Sequence, residues 1–146
     1  MCNRPKEFRT PNALRQLLMN LKEALTKRGL NPLLEPSTNQ LFVTDEKTTM
    51  LFRLYPGDTR LQVLTYFNFQ VPKDRFEAVL AHLNRLNFEV DLPGFGLDEN
   101  NGLAYHRLML LEPTDKQMDV YLDALPKLSA WAIEEIKLTA WDLAKT

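Results

Sequence analysis

Apolar residues Leu14, Leu17, Leu18, Leu21 and Leu25 recur at spacings of three and four, which places them on one face of a helix. Thr10 and Pro11 suit its start, because Thr can cap free N–H groups and Pro fits the first helical position. Lys27-Arg28-Gly29 suits its end, with cations near the negative pole and a glycine for the left-handed cap. The pattern predicts one amphipathic helix over residues 11–28.

The period then shortens. Leu41-Phe42-Val43 reads as a short strand, Asp45-Glu46-Lys47 as a turn, and Thr48 to Tyr55 as a second strand. Pro56-Gly57-Asp58 is a tight-turn signal leading into Thr59–Phe69, the strongest strand pattern in the chain. Its alternation turns Leu61, Val63, Phe67 and Phe69 to one face, and Arg60, Gln62, Leu64, Tyr66 and Asn68 to the other.

Pro72 opens a second helix whose stripe is Phe76, Val79, Leu80, Leu83 and Leu86. Residues 88–97 read as extended and broken by glycine. Asp98-Glu99-Asn100-Asn101-Gly102 then turns into a strand over Leu103–Leu111. Thr114-Asp115-Lys116-Gln117 has the spacing of a capping box, so a last helix starts there. It carries Met118, Tyr121, Leu122, Leu125 and Leu128, and Pro126 is expected to kink or divide it before a further amphipathic segment with Trp131, Ile133 and Ile136. The order α-β-β-β-α-β-β-α predicts an α+β fold, an antiparallel sheet packed by helices. Residues 1–9 read as a flexible arm and 10–146 as one domain.

The 146 residues are 45% hydrophobic and 25% charged, the balance of a globular chain. No apolar run reaches the roughly 20 residues of a membrane span, so no membrane association is expected. The N-terminus lacks an apolar signal core, and Cys2 is the lone cysteine, which points to a reducing cytoplasm. Net charge is −1, but residues 1–30 hold seven basic side chains against Glu7 and Glu23, a net of +5, and the rest carries −6. A basic first helix raises nucleic-acid binding through residues such as Arg15 and Lys22 as an alternative function. The sequence pI near 6.1 speaks against it, so nucleic acid is disfavoured as a partner.

Chemistry is sparse. His82 and His106 have no Cys or His partner at ligand spacing, and His82 reads as a surface or boundary residue of its helix. The Asp98 loop fails as a calcium site, since Gly102 falls fifth and Met109 stands twelfth where a Glu is needed. Gly94-Phe95-Gly96 is too short for a phosphate fingerprint. No catalytic residue, metal or cofactor is expected. An enzyme would need a polar pocket joining His106 or His82 to Arg107.

The distinctive feature is apolar surface beyond what one core uses. With Leu61 and Val63 inward, Leu64 and Tyr66 face outward. With Met50, Phe52 and Leu54 inward, Leu51 and Tyr55 join them. Mixed with Arg53 and Arg60, these side chains have the composition of a protein interface. The competing expectation is that the C-terminal helix, with its two tryptophans, covers this face.

Several strings together resemble the YbjN-domain family over roughly residues 12–138. They are Val71-Pro72-Lys73 before Leu83-Asn84-Arg85-Leu86-Asn87, then Gly96-Leu97-Asp98 with an Asn-Gly turn into Tyr105-His106-Arg107-Leu108, then Thr114-Asp115-Lys116-Gln117. The resemblance implies a fold similar to type III secretion chaperones, often a homodimer, in a family described as bacterial sensory-transduction regulators. It implies no catalytic residues. The expected function is a non-catalytic, chaperone-like adaptor or regulator. Leu51, Tyr55, Leu64 and Tyr66 are its contact surface for a protein client or second copy, with Arg53 and Arg60 at the rim.

Overall fold

The computed structural model describes residues 11–55 and 60–141, with side chains from residue 16 onward except Pro36. The arm, Cys2, the Thr10 cap, Leu14 and Arg15 as side chains, and the Pro56-Gly57-Asp58 turn lie outside these described residues. Helix α1 is Pro11–Lys27, followed by strands β1 (Leu33–Glu35), β2 (Gln40–Thr44), β3 (Thr48–Leu54) and β4 (Arg60–Gln70). Helix α2 (Phe76–Glu89), strands β5 (Gly94–Asp98) and β6 (Leu103–Leu111), and helix α3 (Asp115–Trp141) complete the chain. The α+β class holds. One short strand, β1, is added to the expected order: three residues are too few to show an alternation.

The helix signals act as read. Gly29 sits at φ 80° behind α1. Its N–H donates to the Thr26 carbonyl and that of Leu30 to the Leu25 carbonyl, the paired bonds of a Schellman cap. At α3 the Gln117 N–H donates to Thr114 Oγ1 (3.1 Å) and the Thr114 N–H to Gln117 Oε1 (2.9 Å), closing the capping box. Pro126 does not divide α3, which runs unbroken for 27 residues. Side chains on both sides of the proline are buried in the core, so packing holds the helix across the missing hydrogen bond.

The six strands form one antiparallel sheet in the order β1-β2-β3-β4-β6-β5. All three helices lie on one side of it, where alternate strand residues form two apolar clusters. The first joins Leu18, Leu21 and Leu25 of α1 and Met118, Leu122 and Leu125 of α3 to Leu41, Phe52, Leu61 and Val63. The second joins Val79, Leu83 and Leu86 of α2 and Ala132, Ile133 and Ile136 of α3 to Phe67, Phe95 and Leu97. Each fully buried leucine contributes roughly 1.5–3 kcal/mol. Among the described residues, α3 is the one helix that enters both clusters.

Candidate functional site

Period-2 alternation leaves the other side of the sheet to residues 33 and 35, 40–44, 49–55, 60–68 and 103–111 at every second position. Cross-strand pairing sets them in rows. One row runs Leu33, Phe42, Leu51 and Leu64, then Arg107 and Gly94. Its neighbour runs Glu35, Gln40, Arg53, Gln62 and Met109. On the far side of the first row, Thr44, Thr49, Tyr66, Tyr105 and Gly96 line up. Tyr66 and Tyr105 meet edge to face at 5.8 Å between ring centroids. The Tyr105 ring lies over Gly96, where any side chain would collide with it.

All six residues proposed from the sequence lie on this face. Leu51 and Leu64 are direct cross-strand partners, both half-buried. Tyr55 and Tyr66 are also half-buried, and the Arg60 guanidinium sits 4.8 Å from the Tyr55 ring centroid at the exposed start of β4. Arg53 stands in the middle of the face. Helix α3 packs against the opposite side, so the expectation that it covers these residues fails: its apolar stripe belongs to the core clusters. Sequence reading missed Leu33 (69% exposed), Phe42, Tyr105, Arg107 and Met109 on the same face. Their alternation was visible, but only the register shows that β6 lies beside β4.

The face is electrostatically one-sided. Arg53, Arg60 and Arg107 project from β3, β4 and β6, and no carboxylate does so from β2, β3, β4 or β6. Glu35 and Asp98 stand on the two edge strands, where Asp98 accepts the Asn100 N–H of its own turn. Arg53 Nε is buried and has no hydrogen-bond partner.

Both edges of the sheet are shielded. On β5, Asn87 Oδ1 accepts the Phe95 N–H at 2.6 Å and Asn87 Nδ2 donates to the Phe95 carbonyl at 3.0 Å. A helix side chain thus takes the place of a neighbouring strand at the centre of that edge. β1 is only three residues long and runs straight into a 3-10 turn that starts at Pro36. Short or covered edges resist strand addition, which leaves the face as the open surface.

The histidines belong to the helical side. His106 is fully buried, flanked edge-on by Phe67 and Phe95, with Nε2 2.8 Å from Ser129 Oγ. Burial pushes its pKa down to about 4, so the ring is neutral. His82, expected as a surface or boundary residue, is also buried, with Glu135 of α3 beside it. Its Nδ1 lies 2.9 Å from an Arg85 nitrogen and its Nε2 3.8 Å from Glu135 Oε1. Since a guanidinium only donates, Nδ1 accepts and Nε2 carries the proton. Burial, then the Arg85 charge, lowers its pKa, against Glu135 and Glu89. His106 and Arg107 point to opposite faces, so the pocket an enzyme would need is not assembled from them. Among the described residues no three His, Cys, Asp or Glu side chains converge as metal ligands. Among them, too, no helix is long and apolar enough to cross a membrane.

A chain of the solved ExsC–ExsE complex has a similar structure, with a TM-score of 0.58 and 18% identity over 81% of this chain and 91% of that one. What is shared at that identity is the fold, helices on one side of an antiparallel sheet. No curated protein sequence matches. The family model described as "Putative bacterial sensory transduction regulator" matches residues 18–136, from the buried Leu18 of α1 to the buried Ile136 of α3. That span holds every strand and all of both core clusters except Ala140, and on it the chain belongs to the YbjN family.

Proposed function

We propose that this chain is a non-catalytic protein-binding adaptor or regulator that engages its partner on the helix-free face. The observation that carries the reading is the row Leu33, Phe42, Leu51 and Leu64, an apolar stripe across four strands that, among the described residues, no helix covers. Exposed contiguous apolar surface on a folded domain marks an interaction site. Membership of a family described as regulators supports it, as does likeness to a chain solved within a two-protein complex. A cytoplasmic location and a homodimer belong to the same reading.

The nucleic-acid alternative has less support. Lys27 at the end of α1 pairs with Glu23 at 3.7 Å, and Arg28 just beyond the helix pairs with Asp119 and Asp123 of α3, so these cations already have partners within the fold.

Affinity capture from a native lysate, with and without nuclease, tests the proposal. One stoichiometric protein that survives nuclease and is lost with Leu64→Asp/Tyr66→Asp is the expected result. Capture unchanged in that folded variant overturns the placement on this face, and partners that vanish with nuclease overturn the protein-binding reading itself.

A further inference from the structure

Resting on that protein-binding reading, we infer that the face takes an extended segment of a partner protein bearing two carboxylates four positions apart with an apolar side chain midway between them.

Three observations lead there. Arg53 Nε is buried without a hydrogen-bond partner, on a residue whose cross-strand partners are Gln40 and Gln62. A buried donor left unsatisfied carries a desolvation penalty that an incoming acceptor removes. Arg107 stands exposed on β6 beside Leu64. Arg60 is left out of the pair, since it lies over Tyr55 and has a further partner. No carboxylate projects from β2, β3, β4 or β6 on this side.

Register supplies the spacing. Arg53 and Arg107 are separated by one intervening strand, β4, and by two residues along it, because Arg53 pairs with Gln62 and Arg107 with Leu64. At about 4.8 Å per strand and 3.3 Å per residue, their Cα atoms lie roughly 12 Å apart. Residues i and i+4 of an extended chain lie on one side of it and span roughly 13 Å. Carboxylates at those positions reach both guanidinium groups, where charge-assisted bonds form in bidentate geometry. Residue i+2, on the same side, falls over Leu64 and Gln62, so an apolar side chain there meets Leu64 and Leu51.

The same charges argue against a second copy as occupant. Two such faces brought together set arginine against arginine with no acidic group from the central strands between them, and like-charge juxtaposition opposes docking. On this inference the face belongs to the partner segment, and any homodimer is left to another surface.

The test is a selection of random 12-residue peptides displayed on phage against the full chain and against Arg53→Glu/Arg107→Glu. The expected result is enrichment of Asp or Glu flanking an apolar residue at the i, i+2, i+4 spacing on the wild type. A switch to Lys or Arg at those positions is expected on the reversed protein, a gain that misfolding cannot produce. If the double variant fails to fold, Arg107→Glu alone, at an exposed position, should lose acidic preference at one end of the motif. Enriched apolar peptides without acidic bias, abolished by Leu64→Asp, overturn the acidic segment but keep the interface. Peptides indifferent to Leu64→Asp overturn both. Binding of a fluorescent polyuridine probe, lost on charge reversal, overturns it in favour of nucleic acid. Dimerisation abolished by Arg53→Glu/Arg107→Glu or Leu64→Asp in sedimentation overturns it in favour of self-association.

Discussion

His106 on β6 is bonded to Ser129 on α3 through a 2.8 Å contact buried between the two apolar clusters. Thr65, its cross-strand neighbour, has an unpartnered buried hydroxyl, and His106 Nδ1 is unpartnered as well. A seam of polar atoms therefore runs through an otherwise apolar interior.

That seam makes stability depend on pH. Unfolding restores His106 from about 4 to the ordinary imidazole value near 6.5, so the unfolded chain binds the extra proton. The contribution is fully present above pH 6.5 and is lost as pH falls towards 4, by about 3 kcal/mol from this ring. His82 shifts in the same direction and adds to the slope. Urea unfolding between pH 7.5 and 4 should show this decline, and His106→Gln should flatten it. An equal slope in the variant would place the effect elsewhere.

Pro126 lies inside α3 with its side chain at the surface. It has no N–H for the Leu122 carbonyl, and a helix-interior proline carries a penalty of about 3 kcal/mol. Pro126→Ala should raise stability by about 1–3 kcal/mol and the melting temperature by several degrees. A fall in melting temperature would mean that the helix is shaped around the proline.

Gly96→Ala tests the aromatic part of the face. The new methyl group strikes the hydroxyl end of Tyr105, a flexible group that can swing away. Stability should drop by about 1 kcal/mol, the scale of one aromatic pair, while the ring signals of Tyr66 and Tyr105 move in NMR spectra. Partner capture should weaken. Unmoved tyrosine signals would show that the two rings are not held as a pair.

Asn87→Ala should expose the β5 edge. Loss of both bonds to Phe95 removes about 1–3 kcal/mol and frees a backbone donor and acceptor. Soluble oligomers growing with concentration in size-exclusion chromatography are the expected sign. A monodisperse variant would show that the edge is shielded by other means.

The interior was legible before the structure because helix stripes and strand alternation are local. Leu18, Leu21, Leu25, Phe52, Leu61, Val63 and Phe67 are buried as their spacing requires. The Gly29 cap and the Thr114–Gln117 box are local too. What escaped depends on pairing across distance. Arg107 becomes a neighbour of Leu64 only through the β4–β6 register, and His82 is buried only because α3 returns over α2. Pro126 misled because its local penalty is opposed by burial of Leu122, Leu125 and Ser129 around it.

The placement of α3 also has a consequence during synthesis. Every strand and both other helices precede it in the chain, yet both clusters need its side chains. At about 5–20 residues per second, the ribosome takes several seconds to pass from the end of β4 to Ile136. Through that interval α1 is already made and α2 follows, but the part of the inner sheet that α3 covers stays apolar and open. Both clusters can therefore be completed only after α3 has been made, which leaves closure of the interior to the end of synthesis.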